Sequence, residues 1–194
     1  MVLATRNEGK VREVRSVLEN TGLEIRSLAA YPGAPEVVED GGSFFENAFK
    51  KAKAIAEFTG ETVLADDSGL EVDALDGRPG VHSSRYAGPE ANDEENIEKL
   101  LLELRDVPQE KRGAAFRCTL VMYRPDGRYD TFEGALRGVI TTEPRGKQGF
   151  GYDPVFLVPE IGKTVAEMPM ELKNSISHRG AALRALRDHL KVSG

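Results

Sequence analysis

Asp66 and Asp67 stand side by side in "VLADDSGLEV", directly after the apolar run Val63 to Ala65. Like charges at the end of a buried run are costly unless a cation or hydrogen-bond donors offset them. Two carboxylates there, joined by a third from the acidic turn "EVVEDGG", suit a hard divalent cation such as Mg²⁺. Such an ion keeps waters, takes phosphate oxygens as ligands and can activate a water for attack on phosphorus. A turn in which Asp and Ser cap backbone N–H groups accounts for the same residues without any chemistry. Neighbouring strand residues point to opposite faces, so unequal roles are expected for Asp66 and Asp67.

Basic and aromatic segments could serve the other side of such a reaction. "ATRNEGK" reads as a strand turning into a helix, which offers backbone N–H groups and a positive dipole end to an anion, flanked by Arg6 and Lys10. It is not a P-loop, which needs glycine where Ala4 stands and Ser or Thr where Val11 stands. In "SFFENAFKKAKAIA", Lys50, Lys51 and Lys53 lie off the apolar stripe and read as a solvated face unless one meets a phosphate. "GKQGFGYDP" sets glycines around Phe150, allowing close backbone approach and stacking on a flat base; a glycine-rich turn with a core aromatic is the plainer reading. "KNSISHRGAAL" places His178 and Arg179 at a helix start, where the dipole disfavours positive charge. An anionic or carbonyl partner there would resolve the conflict.

The elements that must position these residues follow from periodicity. Strands are expected at 2–5, 23–28, 62–66, 114–123, 128–140 and 154–159. Helices are expected after Asn7, after Ser43 with Glu46 as a capping box and Gly60 as the stop, after Asn92 with Glu95, and after Ser177. The order β-α-β-α-β-α-β-β-β-α is mixed α/β, and sites in such folds gather where strands end and helices begin. The 194 residues are read as one domain without repeat or linker. A net charge of −6 argues against general binding to nucleic acid or acidic membranes, and no segment is long and apolar enough for a signal peptide or a membrane span. Cys118, the single cysteine, rules out an intrachain disulfide and a thiolate zinc cluster and reads as a buried, inert thiol. A reducing cytoplasm is the expected setting.

"LATRNEGKVREV", "SFFENAFKKAKA", "LADDSGLEVDALDGRPGVHSSRYAG", "GFGYDPVF" and "KNSISHRGAAL" together resemble the inosine/xanthosine triphosphate pyrophosphatases, in the family's order and over nearly the whole chain. The resemblance implies an inosine triphosphatase-like α/β fold: an elongated mixed sheet flanked by helices, with two lobes and a central cleft holding the active site. It further implies a homodimer, Mg²⁺ dependence and hydrolysis of ITP, dITP and XTP to the monophosphate and pyrophosphate, which clears such bases from the nucleotide pool before they enter DNA or RNA.

By the same resemblance, Thr5, Arg6, Asn7, Glu8, Gly9 and Lys10 match the phosphate-binding turn, with Arg6 where the family commonly has glycine. Lys51 matches the helix lysine that reaches the phosphates. Asp67 matches the metal ligand that also accepts the proton of the attacking water, with Asp66 beside it and Ser68 on the substrate. Glu39 is the best match for the second metal carboxylate, and Asp40 is the alternative. Phe150, Gly151, Tyr152 and Asp153 match the base-pocket motif, and Lys173, His178 and Arg179 match the residues that close over the substrate. Competing readings are a pyrophosphatase for modified pyrimidine nucleotides, a non-catalytic nucleotide-binding module and, least supported, a nucleic-acid-binding protein.

Overall fold

The structure, a computed structural model, describes residues 1–193. Its strands are β1 (Val2–Leu3), β2 (Arg26–Ser27), β3 (Val63–Val72), β4 (Gly113–Tyr123), β5 (Tyr129–Ile140), β6 (Phe156–Val158) and β7 (Lys163–Thr164). Its helices are α1 (Glu8–Leu18), α2 (Phe44–Thr59), α3 (Asp93–Glu103), α4 (Met170–Ile176) and α5 (His178–Ser193). The strands form one sheet in the order β2-β1-β3-β4-β5-β6-β7. β1 runs parallel to β2 and β3, with Val2 opposite Arg26 and Val63, as strands joined through helices can. β6 is antiparallel to both β5 and β7, so the sheet is mixed and the α/β expectation holds.

Contacts divide the chain into two compact units. The first comprises Met1–Asp67, Cys118–Gly134 and the residues from His178 onward. In it, period-2 alternation sorts side chains to two faces of the sheet. Leu3, Leu64, Leu120 and Met122 pack with Val11, Val14 and Leu18 of α1 and Ala182, Leu183 and Leu186 of α5. Val2, Val63, Ala65 and Val121 pack instead with Ala48, Ala52, Ile55 and Ala56 of α2. Cys118 belongs to the α1/α5 cluster, is fully buried, and burial pushes its thiol pKa up to about 12. The second unit, Ser68–Arg117 with Ala135–Ser177, builds its core from Leu70, Val72, Ile97, Leu100, Leu104, Ile140 and Phe156, among others.

Caps fix the helix ends where local sequence calls for them. Asn7 caps α1, and Ser43 accepts from Glu46 N at the start of α2, which Gly60 ends in a left-handed conformation. Asn92 and Glu95 complete a reciprocal capping box on α3. Glu46 departs from that pattern, accepting from Gly42 N (2.7 Å) in the acidic turn.

Several boundaries differ from expectation. β3 does not stop at the aspartates but runs unbroken for 10 residues, with Asp66 and Asp67 in its middle. Lateral pairing and the cations described below hold these carboxylates within the strand. Of residues 23–28 only Arg26–Ser27 are strand, because Leu28–Ala30 form a 3₁₀ turn. A similar turn at Asp153–Val155 delays β6, and β7 and α4 are additional elements. Among the described residues no helix is long and apolar enough to cross a membrane.

Candidate active site

The alternation along β3 dictates the site of the first unit. Asp66 follows Leu64 onto the α1/α5 face, whereas Asp67 follows Val63 and Ala65 onto the α2 face. Asp66, only 1% exposed, meets Lys10 Nζ at 3.0 Å and the Nε and Nη2 atoms of Arg179 at 3.2 Å. Arg179, 2% exposed, also donates from Nη1 to Glu13. Burial opposes the charge on Asp66, but Lys10, Arg179 and Lys51 outweigh it and hold the carboxyl well below the usual carboxylate range. Burial likewise opposes the charge on Arg179, yet Asp66 and Glu13 raise its pKa further.

Asp67 is 6% exposed and accepts from Asn47 Nδ2 at 3.0 Å. Burial raises its pKa, the charge of Glu39 adds to the rise, and Lys51 and the Asn47 hydrogen bond only partly offset it. Lys51 reaches Glu39 Oε1 at 2.5 Å. Although burial works against its charge, the carboxylates of Asp66, Glu39 and Asp67 raise the pKa of Lys51, which stays ammonium.

A pocket of about 190 Å³ opens in this unit, lined by Thr5, Arg6, Lys10, Glu36, Glu39 and Lys51 with apolar neighbours. The turn that forms one wall is pre-shaped: Thr5 Oγ1 accepts from Asn7 N (3.1 Å), and Asn7 Oδ1 accepts from Gly9 N (2.9 Å) and Lys10 N (3.2 Å). Arg6, Asn7 and Glu8 are exposed, and Arg6 Nη2 approaches Ala34 O at 3.5 Å. Glu39 faces the pocket, whereas exposed Asp40 is held by exposed Lys50 at 2.6 Å. Seating of α5 depends on Gly134, where a Cβ would lie 2.0 Å from His178 O and 2.8 Å from Ala182 N. The positive charge expected to need an anion at the start of α5 thus has two within the protein, Glu13 and Asp66.

The second unit holds the glycine-aromatic turn. Asp153 Oδ2 accepts from Phe150 N (3.0 Å) and Lys173 Nζ (2.7 Å), and Lys173 Nζ stands 4.6 Å from the centre of the Phe150 ring. Gly149 adopts φ +84°, and a Cβ there would strike Asp153 Oδ2. Gly151 N donates to Asp93 Oδ2 (2.6 Å), and buried Tyr152 donates to Ser83 O (2.8 Å). The turn is therefore anchored through Tyr152 and Asp153 while Phe150 stays half-exposed. Ser68, in the middle of β3, is also half-buried.

Sequence reasoning passed over Glu13, Asn47 and Asp93. Lys10 and Glu13 are three apart on α1, and Asn47 and Lys51 four apart on α2, so each pair shares a helix face. A polar residue next to a buried apolar stripe was the available signal for both Glu13 and Asn47.

Among the described residues no three His, Cys, Asp or Glu side chains converge as a metal cage. Glu39 and Asp67 nevertheless fit Mg²⁺, which needs only one or two carboxylates when waters and phosphate oxygens complete its shell. Burial, with the charge of Glu39 adding to it, raises the proton affinity of Asp67 beyond what Lys51 offsets, and a bound cation would relieve that cost. Three cations, Arg6, Lys10 and Lys51, and two carboxylates, Glu36 and Glu39, around one pocket describe an α/β protein built to receive a polyanion that brings a cation with it.

Comparison with known proteins narrows that class. The Ham1 family model matches residues 1–189, and the chain belongs to that family. A dITP/XTP pyrophosphatase from Geobacter sulfurreducens is 56% identical over 194 residues, covering 100% of this chain and 98% of the relative. One from Desulforamulus reducens is 55% identical, covering 95% of this chain and 92% of its own. The solved Ham1 protein of Staphylococcus aureus superposes with a TM-score of 0.89 at 40% identity, covering 100% and 98%.

Proposed function

We propose that the protein hydrolyses non-standard purine nucleoside triphosphates, dITP, XTP and ITP, to the monophosphate and pyrophosphate, in a Mg²⁺-dependent reaction. The observation that carries this reading is the pocket in which Arg6, Lys10 and Lys51 accompany Glu39, beside buried Asp67. Near-complete coverage of a relative named for that activity supports the same substrate class.

In the reaction, a water oxygen bonds to the α-phosphorus as the bond to the bridging oxygen breaks, its electron pair leaving on pyrophosphate. Asp67 orients that water and takes its proton, a task served by a carboxylate of raised pKa. Lys10 and Lys51 stabilise the charge on the phosphate oxygens, and Asp66 fixes Lys10. Mg²⁺, held by Glu39 and Asp67, supplies charge neutralisation and a more acidic water when bound.

Base choice follows from hydrogen-bond polarity. A 6-oxo purine offers an acceptor that His178 or nearby N–H groups can meet, at the helix start where Glu13 and Asp66 hold the buried guanidinium of Arg179 in a fixed orientation. Adenine offers a donor at that position, and such a mismatch can give roughly 10⁴–10⁵-fold rejection. Phe150 supplies a face for stacking, next to the Lys173–Asp153 pair. The resemblance also carries the homodimer and the cytoplasmic setting, and sedimentation of the purified protein tests the former.

The deciding experiment is pyrophosphate release with Mg²⁺ from dITP, XTP, ITP, ATP, GTP and dUTP. Turnover on the first three far above the rest is expected; equal turnover on ATP or GTP would overturn the reading, and preference for dUTP would favour pyrimidine nucleotides.

A further inference from the structure

Glu39 and Asp67 come from separate segments, yet both must be held still to work on one substrate. The link between them is Asn47, which is 1% exposed. Its Oδ1 accepts from Gly41 N at 2.7 Å and its Nδ2 donates to Asp67 Oδ2 at 3.0 Å. Only this orientation of the amide is consistent, because a flip would face two donors at Gly41 and put an acceptor against a carboxylate. One turn further along the same face of α2, Lys51 holds Glu39 itself. The turn approaches so closely that Gly41 has no room for a side chain: a Cβ would lie 2.7 Å from Asn47 Oδ1 and 2.8 Å from Glu46 Cβ.

We propose that Asn47 is a positioning residue that ties the Glu39-bearing turn to Asp67 and so holds both carboxylates in register for the cation and the attacking water. This rests on the reading of Asp67 and Glu39 given above. Asn is suited to the task because its short amide carries an acceptor and a donor on two separate atoms, without charge, so it can bridge two groups at once. Alanine would leave Gly41 N and the Asp67 carboxylate without their shared partner, and Asp67, 6% exposed, lies where water is scarce.

The test uses Asn47→Ala, with Ala52→Gly on the same helix as a control for stability alone. Binding of Mn²⁺ to the protein without nucleotide, followed by the loss of the free-ion electron paramagnetic resonance signal, is measured beside kcat and KM for dITP. Loss of a residue that orients a metal ligand typically weakens metal affinity or activity about 10- to 100-fold, and we expect both Mn²⁺ affinity and kcat of Asn47→Ala to fall by that order. KM is expected to change much less, and Ala52→Gly is expected to lower the melting temperature while leaving Mn²⁺ affinity and kcat unchanged. A folded Asn47→Ala with wild-type Mn²⁺ affinity and kcat overturns the proposal. So does an Ala52→Gly variant that loses both to the same degree, since the effect would then be one of stability. Should Asn47→Ala fail to fold, Gly41→Ala decides: its Cβ displaces the turn from Asn47, and unchanged Mn²⁺ affinity there would also overturn the role. A wild-type protein inactive on dITP and XTP would refute the functional reading instead, and Mn²⁺ binding would still judge Asn47.

Discussion

On the α1/α5 face of β3, Asp66 meets Lys10 and Arg179 and is held ionised below the usual range. On the α2 face, burial raises the proton affinity of Asp67 and the charge of Glu39 adds to the rise, while Lys51 and the neutral amide of Asn47 only partly offset it. The two residues are covalent neighbours with almost the same burial, so burial alone does not separate them. What differs is the charge balance: Lys10, Arg179 and Lys51 outweigh burial at Asp66, whereas at Asp67 the effect of Lys51 is opposed by Glu39. A carboxylate overcompensated by cations is a structural anchor, while one left short of positive charge is ready to take a proton or a metal.

The largest effect expected from this contrast is on catalysis. Asp67→Asn should lower kcat on dITP by at least about 10²-fold, since general-base assistance is worth roughly 10²–10⁴-fold. The same change should not lower the melting temperature of the metal-free protein at neutral pH. A carboxyl whose folded pKa lies above its unfolded value adds stability only while protonated, and that contribution is lost as pH rises through the folded value. Asn avoids that loss. Retained turnover would remove Asp67 from the reaction.

Asp66→Asn should show the opposite signature, a stability loss of about 3–5 kcal/mol in denaturant titration at pH 7, as when one partner of a buried ion pair is removed. Because the folded pKa of Asp66 is depressed, its contribution is complete above the pKa of an unfolded aspartate, near ~4. The difference between wild type and variant should therefore shrink as pH falls below that point. A deficit independent of pH would break the contrast.

Lys10→Met should cost roughly 10- to 100-fold in kcat/KM, the range for losing a hydrogen bond to a charged group, while Arg179 still compensates Asp66. Gly134→Ala, which touches neither carboxylate, should destabilise by about 1–3 kcal/mol through overpacking against the start of α5. The smallest effect is at Cys118: with its pKa pushed to about 12, the buried thiol should not react with disulfide reagents at pH 8 until the chain unfolds.

Much of this contrast is legible along the chain. Alternation in "VLADD" already separates Asp66 from Asp67, and the caps at Asn7, Ser43 and Asn92 are local signals that the helices obey. The partners are not local. Glu13 meets Arg179 across 166 positions and Asn47 meets Asp67 across 20, so neither pairing leaves a trace in any short window. The continuation of β3 past the aspartates was hidden for the same reason, because the cations that make two charges tolerable inside a strand come from α1, α2 and α5. Likewise, the short length of β2 reflects a chain that turns at Leu28–Ala30 despite its alternating pattern.

Gly134 gives the charge balance at Asp66 a mechanical origin. The hydrogen atom that stands in for a side chain there lets the first turn of α5, which carries Arg179 toward Asp66 on β3, rest against β5. An uncharged position on one strand thereby calibrates the electrostatics of a residue on another, as a shim sets the gap between two magnets.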